Sequence, residues 1–296
     1  MEQIGVDKIW EENYAYQTKV SQNPNLYKNG MEPYPMVENL EHWINNEVAV
    51  AKTQSMRFLS EMYFHRKEIR ARPIDNGYFF TPADGVITSV NEKVDAHAPL
   101  VEVKGINYSL ADLMQDEYLE GDWLCIVIFM TFYSQHYNSI PYSGIRTWED
   151  LPQLQTYNLP MLAMERELMK GVVNPEFEGN YLKKNARRIS TIYSPTIDTE
   201  YNVIQIADYD VDSFVETSQV DCETPTFWKQ NSVFGKITYG SSCVLAIPLI
   251  EGHLKMKLHP FAKVGNVVKI QRTPLVKVCW DEVYTPNEVQ KIEEDF

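Results

Sequence analysis

The spacing of hydrophobic residues divides the chain into a helical first part and a longer β-rich part. Between Val37 and Arg72, apolar residues recur at the spacing of an amphipathic helix, and Pro73 ends the run. The apolar positions that set this spacing are Leu40, Ile44, Val48, Ala51, Phe58 and Met62. Residues 1–36 are polar, aromatic and rich in turn-forming residues, so we expect an arm with little core of its own.

Beyond Pro73, short runs rich in Val, Ile, Tyr and Thr alternate with Gly, Pro, Asn and Asp, which is typical of strands joined by turns. The predicted strands cover residues 85–90, 100–103, 124–131, 201–207, 236–250 and 267–278. Only residues 109–114 and 286–296 look helical again. The predicted fold class is therefore α+β, with a helical N-terminal part over residues 1–72 and a mainly antiparallel β core over residues 73–296.

Composition indicates a soluble globular protein. Hydrophobic residues make up 44% of the 296 residues and charged residues 23%. The longest apolar runs, over residues 123–130 and 243–250, are too short to cross a bilayer, so no transmembrane segment is expected. The formal net charge of -14 gives neither nucleic acid nor an anionic lipid surface a long-range attraction.

The chain start and the cysteines both favour a cytoplasmic location. The first residues lack the basic start and apolar stretch of a signal peptide. The four cysteines, Cys125, Cys222, Cys243 and Cys279, form no C-x-x-C pair, which disfavours a zinc site and a disulfide framework alike. We therefore expect no bound metal and a reducing compartment.

A small basic excess lies at the end of the predicted helix of this acidic protein. Its cations are Arg57, Arg66, Lys67, Arg70 and Arg72, set against Glu61 and Glu68. The favoured interpretation is a helix that packs on the core with a solvated charged face. Contact with phosphate groups is the alternative.

Three short strings carry candidate chemistry. In Pro82-Ala83-Asp84-Gly85, proline and glycine define a tight bend that fixes a carboxylate at a strand edge. The string Gly240-Ser241-Ser242 reads as a tight turn between two strands, and His136 ends a buried strand amid polar residues. Each string alone is more typical of a turn or of a hydrogen-bonded core histidine, but the three occur together and in a definite order.

In that order the strings resemble the phosphatidylserine decarboxylase family, whose members cleave themselves to make a pyruvoyl group. The Pro-x-Asp-Gly motif of the family matches residues 82–85, and its histidine motif aligns with residues 135–141, followed by Gly144. Its Asn-Glu-Arg segment resembles residues 185–187. Its Leu-Gly-Ser-Thr cleavage motif resembles residues 239–242, with the upstream glycine present as Gly235. The similarity covers about residues 75–275.

The resemblance implies a chain that builds its own cofactor. Ser241 Oγ would attack the carbonyl of Gly240 with help from Asp84, and the resulting ester would eliminate and hydrolyse to a pyruvoyl group at residue 241. The zymogen would thus become two fragments split between 240 and 241, so the predicted self-cleavage turn lies inside the β core. The ketone would form a Schiff base with an amine-bearing acid and accept electrons as carbon dioxide leaves, with His136 returning a proton.

One departure from the family bears directly on this mechanism. The second histidine of the family motif, the expected partner of the aspartate in activating the serine, is Ser139 here. A hydroxyl with no base of its own does not replace it. The implied function is therefore a cytoplasmic carboxy-lyase, and the alternative is an uncleaved, non-catalytic relative that acts as a binding or partner protein.

The substrate stays open between a free amino acid and an aminophospholipid. Phosphatidylserine is the substrate that gives the family its name, but this chain has an acidic balance and no hydrophobic anchor. Family members are often dimers, so the resemblance also implies a homodimer.

Overall fold

The structure is a computed structural model that describes residues 37–55, 58, 65, 70, 72–103, 106–152, 162–173, 185–207, 214–217, 222, 224–238 and 240–286. Two predicted elements lie outside this part of the chain. They are the polar arm over residues 1–36 and, apart from Pro286, the helix over residues 286–296.

Antiparallel strands dominate the described residues, and the helices are few and short. The strands are β1 (Val37–Asn39), β2 (Tyr78–Phe80), β3 (Gly85–Asp95), β4 (Pro99–Val103), β5 (Ile106–Ser109), β6 (Asp122–Phe129), β7 (Tyr137–Ser139), β8 (Gly144–Leu151), β9 (Arg187–Ser194), β10 (Thr199–Ala207), β11 (Phe214–Glu216), β12 (Thr226–Trp228), β13 (Val233–Ile237), β14 (Gly240–Leu249), β15 (Leu254–Leu258), β16 (Asn266–Val268) and β17 (Pro274–Val283). The helices are α1 (Leu40–Trp43), a π-helical turn (Ile44–Val48), α2 (Ala49–Ala51), α3 (Leu110–Met114) and α4 (Leu162–Leu168).

A nine-stranded sheet organises the molecule. Its strand order is β1-β16-β3-β6-β14-β10-β9-β8-β12, and neighbouring strands pair antiparallel. Two three-stranded sheets, β11-β13-β7 and β15-β17-β2, and the β4-β5 hairpin complete the strand pairings of the described residues. The mainly antiparallel β core expected from the sequence is confirmed.

Both faces of the nine-stranded sheet are covered, which explains why its central strands read as almost continuous apolar runs. The first face carries Val86, Val127, Phe129, Ile204 and Val244. The covering residues of the first face come from the helices and are Leu40, Trp43, Leu110, Leu113 and Leu168. Because water reaches neither side of β6, apolar residues occupy both its inward and its outward positions.

The second face packs against the two small sheets. It carries Ile87, Ile126, Ile128, Val203 and Leu245. The residues that cover it are Phe79, Phe234, Ile237, Val276 and Val278. The large sheet is therefore sandwiched between helices on one side and strands on the other.

The helix predicted over residues 37–72 begins later than expected and is interrupted within its described part. Residues 37–39 form β1, and the Asn39 side chain caps the helix by accepting a hydrogen bond from the His42 N–H at 2.8 Å. The first helical stretch ends in a turn at Lys52, where the Thr53 hydroxyl donates to the Val50 carbonyl, and Phe58 is helical again. Beyond residue 55, only Phe58, His65, Arg70 and Arg72 of the predicted helix are described.

The last predicted strand, over residues 267–278, is two strands in the structure. A turn over residues 269–273 separates β16 from β17 and takes the chain from the large sheet to a small one. Gln271 adopts a positive φ of 64° in this turn, and the Lys269 N–H donates to Thr273 Oγ1 at 3.0 Å. The predicted helix at residues 109–114 is confirmed as α3, and a capping box between Ser109 and Asp112 begins it.

Candidate functional site

One end of the nine-stranded sheet brings together the strings that the sequence singled out. At this end β3, β14 and β9 begin and β6, β10 and β8 end. A single row of paired residues crosses it, made of Val86, Phe129, Ser242, Ile206 and Arg187. Asp84 and Gly240 flank this row in sequence, so these parts of the chain meet along one edge.

Gly85 is required by close packing at this end. A Cβ at position 85 would lie 2.1 Å from the Phe129 carbonyl oxygen, so only glycine lets β3 approach β6 there. Close packing of β3 on β6 therefore explains the glycine of the Pro-x-Asp-Gly string. The same packing fixes the position of Asp84, the residue before Gly85.

The Asp84 carboxylate is buried and engaged by N–H donors at both oxygens. Arg70 donates to each oxygen at 2.6 Å, and the Ile270 backbone N–H donates to Oδ1 at 2.7 Å. The charge-assisted, two-pronged geometry makes this a strong contact. Asp84 thus fastens the segment before β3 both to Arg70 and to the turn after β16.

The environment of Arg70 differs from the one expected. The sequence favoured a solvated charged face for this stretch, but Arg70 is only 2% exposed. Its guanidinium also donates to the Ile270 carbonyl at 3.2 Å. Spacing within the helix gave no sign of this partner, because Asp84 lies beyond the proline that ends the helical pattern.

His136 is buried close to the strand that leads to Gly240. Its Nδ1 donates to the Ser134 carbonyl at 3.0 Å, which leaves the lone pair of the neutral ring on Nε2. Its own carbonyl accepts a hydrogen bond from the Ile237 N–H at 2.9 Å. The histidine string is thereby tied to the end of β13, three residues before Gly240.

Ser139 lies beside the Pro82 segment but does not bond to Asp84. Its N–H donates to the Pro82 carbonyl at 3.0 Å, and its hydroxyl donates to the Thr81 carbonyl at 3.4 Å. The structure thus brings the two strings together through the backbone. The hydroxyl of Ser139 and the carboxylate of Asp84 nevertheless have different partners.

Gly240 and Ser241 begin β14 at a β-bulge. Ile206 pairs with Ser242 and the next residue, Ala207, pairs with Gly240, so Ser241 is an extra residue in its strand. The tight turn predicted at Gly-Ser-Ser is not seen at these residues, which belong to a strand. Bulges interrupt the regular pairing and are frequent next to active sites.

A buried amide pair that the sequence analysis missed links the histidine string to β10. Gln205 Nε2 donates to Asn138 Oδ1 at 2.8 Å, and Asn138 Nδ2 donates to the Pro82 carbonyl at 3.3 Å. Gln205 is the Cα partner of Cys243 in β14. Together these contacts join the three strings in one polar cluster. A polar residue within an apolar strand pattern was the available sign for Gln205.

Arg187 is a second feature that sequence reasoning did not single out for chemistry. Its side chain is fully buried, and Nη1 donates to the Asn185 carbonyl at 3.1 Å. Among the described residues, neither Nε nor Nη2 has a hydrogen-bond partner. Burial lowers the pKa of the Arg187 guanidinium to about 10, and the charge of Asp112 partly opposes this shift.

Glu165, on α4, is a buried carboxyl group near the end of β6. Its Oε1 accepts a hydrogen bond from the Phe132 N–H at 3.4 Å. Burial raises the pKa of Glu165 to about 8, against the opposing effects of that hydrogen bond and of Lys52. At neutral pH this group therefore carries a proton in most molecules.

The described residues contain no cluster of three or more His, Cys, Asp or Glu that could hold a metal ion. In the same part of the chain, no helix is long and apolar enough to cross a membrane.

Comparison with known proteins identifies the family of the chain. The sequence model of the phosphatidylserine decarboxylase family matches residues 60–273, which is more than half of the chain and includes every string at the sheet end. The chain belongs to the phosphatidylserine decarboxylase family, a family of decarboxylases. No curated protein matches the chain.

Proposed function

We propose that this protein is a pyruvoyl-dependent decarboxylase that makes its own catalytic group by cleavage between Gly240 and Ser241. The observation that carries the proposal is the bulge at Ser241, which lies at the sheet end where the Asp84, His136 and Asn138 segments meet. A bulge frees one peptide from the regular ladder, which is what an attack by the neighbouring hydroxyl requires. Family membership supports the reaction class.

The pyruvoyl group would supply an electron sink for loss of the substrate carboxylate. The residues of the chain would do the rest. Because Ser134 accepts from Nδ1 of His136, Nε2 is the ring nitrogen that would take up a proton and then deliver it to the substrate carbon. The buried amides Asn138 and Gln205 would hold the strand that carries His136 against β10 and β14.

Asp84 and Ser139 enter the proposal in altered form. Because Arg70 and Ile270 occupy the Asp84 carboxylate, it would assist Ser241 only after the ion pair with Arg70 opens. Otherwise Asp84 acts as a positioning residue for the segment before β3. The Ser139 hydroxyl has no base among its contacts in the described chain, so we expect cleavage to be slower than with a histidine at that position.

Intact mass and a denaturing gel of the purified protein test the cleavage. We expect two fragments, residues 1–240 and a piece over 241–296 that starts with the ketone. Ser241→Ala is the matched control and should stay a single chain. A single chain for the wild-type protein under every condition would contradict the proposal.

Single substitutions separate processing from turnover. His136→Asn should leave the two fragments intact but abolish carbon dioxide release, because it removes the proton carrier and not the nucleophile. Ser139→His should speed the appearance of the fragments, since it restores a base next to the Pro82 segment. Unchanged cleavage in Ser139→His would count against the assignment of position 139.

The substrate is proposed only as an amine-bearing acid. Carbon dioxide release from phosphatidylserine vesicles, compared with release from a panel of free amino acids at the same pH, would distinguish a lipid from a small soluble substrate. Activity on the vesicles alone supports an aminophospholipid substrate. Activity on a free amino acid alone supports a soluble one.

A non-catalytic relative is the second candidate function, and one observation favours it. Asp84 is neutralised by Arg70 and has no histidine partner at position 139, so the groups expected to activate Ser241 are not assembled. In that case the purified wild-type protein would stay a single chain. It would also fail to be trapped by an amino acid and cyanoborohydride.

A further inference from the structure

Arg187 is a buried cation with two nitrogens that lack a hydrogen-bond partner among the described residues. It is fully buried at the start of β9, and among the described residues the only hydrogen bond of its side chain goes to the Asn185 carbonyl. A buried charge without a counter-ion is costly, so proteins rarely keep one without a use. The acid whose charge acts on it, Asp112, already accepts a hydrogen bond from Ser109 in the cap of α3.

The position of Arg187 relates it to the cleavage point. Ala207 pairs with Gly240 on one side and donates its N–H to the Ala186 carbonyl at 2.9 Å on the other. Gly240 and Ala186 are thus two strand spacings apart, about 10 Å between backbones, and Arg187 is the residue after Ala186. The bond to Asn185, the residue before Ala186, directs the Arg187 guanidinium towards the end of the sheet where β14 begins.

We propose that Arg187 binds the carboxylate that self-cleavage creates at Gly240, and so favours the step in which that carboxylate leaves. This inference rests on the proposed cleavage between residues 240 and 241. It explains why two guanidinium nitrogens have no hydrogen-bond partner among the described residues of the uncut chain, since the carboxylate that would accept from them does not yet exist. It assigns a role to Arg187, which resembles the arginine of the Asn-Glu-Arg segment of the family but was given no role from the sequence.

The chemistry produces one carboxylate per chain. Ser241 Oγ attacks the Gly240 carbonyl carbon, the amide C–N bond breaks, and the freed amine takes up a proton to leave an ester. Loss of the Ser241 Cα proton then breaks the Cβ–Oγ bond, so Gly240 departs as a carboxylate with the former serine oxygen. The remaining enamine tautomerises to an imine. Water adds to the imine carbon, ammonia leaves, and the ketone is formed.

A guanidinium is suited to this leaving group. Its planar fork of N–H donors matches the two oxygens of a carboxylate, and such charge-assisted bonds are stronger than neutral ones. Once the chain is cut, the Gly240 end is no longer held by the Ser241 peptide and can move towards β9. The cleaved form would then contain an ion pair that the uncleaved form lacks.

The experiment compares six proteins: wild type, Arg187→Met, Arg187→Lys, Ser241→Ala, the Arg187→Met/Ser241→Ala double variant and Arg166→Met. We expect Arg187→Met to slow the appearance of the two fragments by about 10- to 100-fold, the effect of losing one hydrogen-bonded charge. Arg187→Lys, which keeps the charge, should recover part of the rate. Arg166→Met, at an exposed residue on α4, is the control and should cleave at the wild-type rate.

A second readout separates this role from a structural one. Arg187→Met should lower the melting temperature of the cleaved protein by several degrees and leave that of the uncleaved Ser241→Ala protein within about 1–2 degrees. Equal shifts in both backgrounds, or wild-type cleavage kinetics in Arg187→Met, would overturn the inference. A wild-type protein that never cleaves would overturn the proposed function itself, so the two failures are distinguishable.

Discussion

Two buried arginines on neighbouring strands show how differently this protein treats positive charge. Arg146 lies on the second face of the sheet, where Nε donates to Ser190 and the two terminal nitrogens donate to Glu216 at 2.8 and 2.9 Å. Its guanidinium also lies over the rings of Phe234 and Trp148. Arg187 lies on the first face, with one backbone carbonyl as its hydrogen-bond partner within the described chain.

Arg146 is a structural cation, whereas Arg187 has N–H donors without hydrogen-bond partners among the described residues. Around Arg146, Glu216 is shared with Arg188, which in turn pairs with Asp150 at 2.6 Å, so every charge in the network has an opposite neighbour. These contacts hold the short strand β11 against β8 and β9. Arg187 fastens no comparable element among the described residues, which is why we assign its charge to a reaction rather than to the fold.

The largest expected effect on the free energy of unfolding is at Arg146, the arginine with ion-pair partners. Arg146→Met should lower the free energy of unfolding by about 3 kcal/mol or more, because it removes a buried cation from Glu216 and leaves that carboxylate with one partner. Urea unfolding in the Ser241→Ala background, where a single chain species is present, measures this. Arg166→Met should change the value by less than about 0.5 kcal/mol. A loss as small as that for Arg146→Met would break the comparison.

A pH-dependent effect is expected at Glu165 on α4, the helix that packs on the sheet face carrying Arg187. The pKa of Glu165 is raised from 4.5 to about 8 by burial, so the folded protein holds a proton that the unfolded chain releases between these values. The contribution of Glu165 to stability therefore falls as pH rises from about 5 to 8, by a total on the order of 3 kcal/mol. Glu165→Gln should flatten this slope in urea unfolding across that range, and Arg166→Met on the same helix should leave it unchanged. An identical slope in Glu165→Gln would contradict the buried, protonated state.

A smaller effect is expected at the aromatic contact of the paired side. Trp148→Leu should cost about 1 kcal/mol of unfolding free energy through the lost contact with the Arg146 and Arg188 guanidinium groups. Trp280→Leu is the matched control, since Trp280 is 48% exposed and should give a change near zero. If both tryptophan variants behaved alike, the rings would add nothing to the charge network.

The smallest effect is expected from Arg187 itself. In the uncleaved Ser241→Ala background, Arg187→Met should alter the free energy of unfolding by no more than about 1 kcal/mol in either direction, because lost packing and the removal of an unpaired buried charge oppose each other. Urea unfolding gives the value directly. A loss as large as that of Arg146→Met would show that Arg187 is a structural cation after all.

Local patterns were a good guide to strands and to the strings of the site. The contacts of Ser139 and Asn138 with Pro82, and the shared pairing of Phe129 with Val86 and Ser242, bring these segments to one end of the sheet. Each string is defined by adjacent residues, so its turn and strand preferences could be inferred directly. The strands β6, β10 and β14 were equally recognisable because both sheet faces are buried.

The rest depended on contacts between distant residues. Arg70 reaches Asp84 across Pro73, and Gln205 reaches Asn138 from another strand, so neither partner follows from local spacing. The start of the first helix was misjudged because a single side chain, that of Asn39, decides it. The unpaired nitrogens of Arg187 are a property of the packed interior and leave no trace in the order of residues.

The strand order of the large sheet has a mechanical consequence for a chain cut before Ser241. The piece over 241–296 contributes β14, which lies between β6 and β10, and β16, which lies between β1 and β3. Each of these strands is hydrogen-bonded on both sides to strands of the other piece, so strands of the two polypeptides alternate within one sheet. The two pieces could separate only if the sheet unfolded. Cleavage before Ser241 would therefore leave a stable complex of two polypeptides.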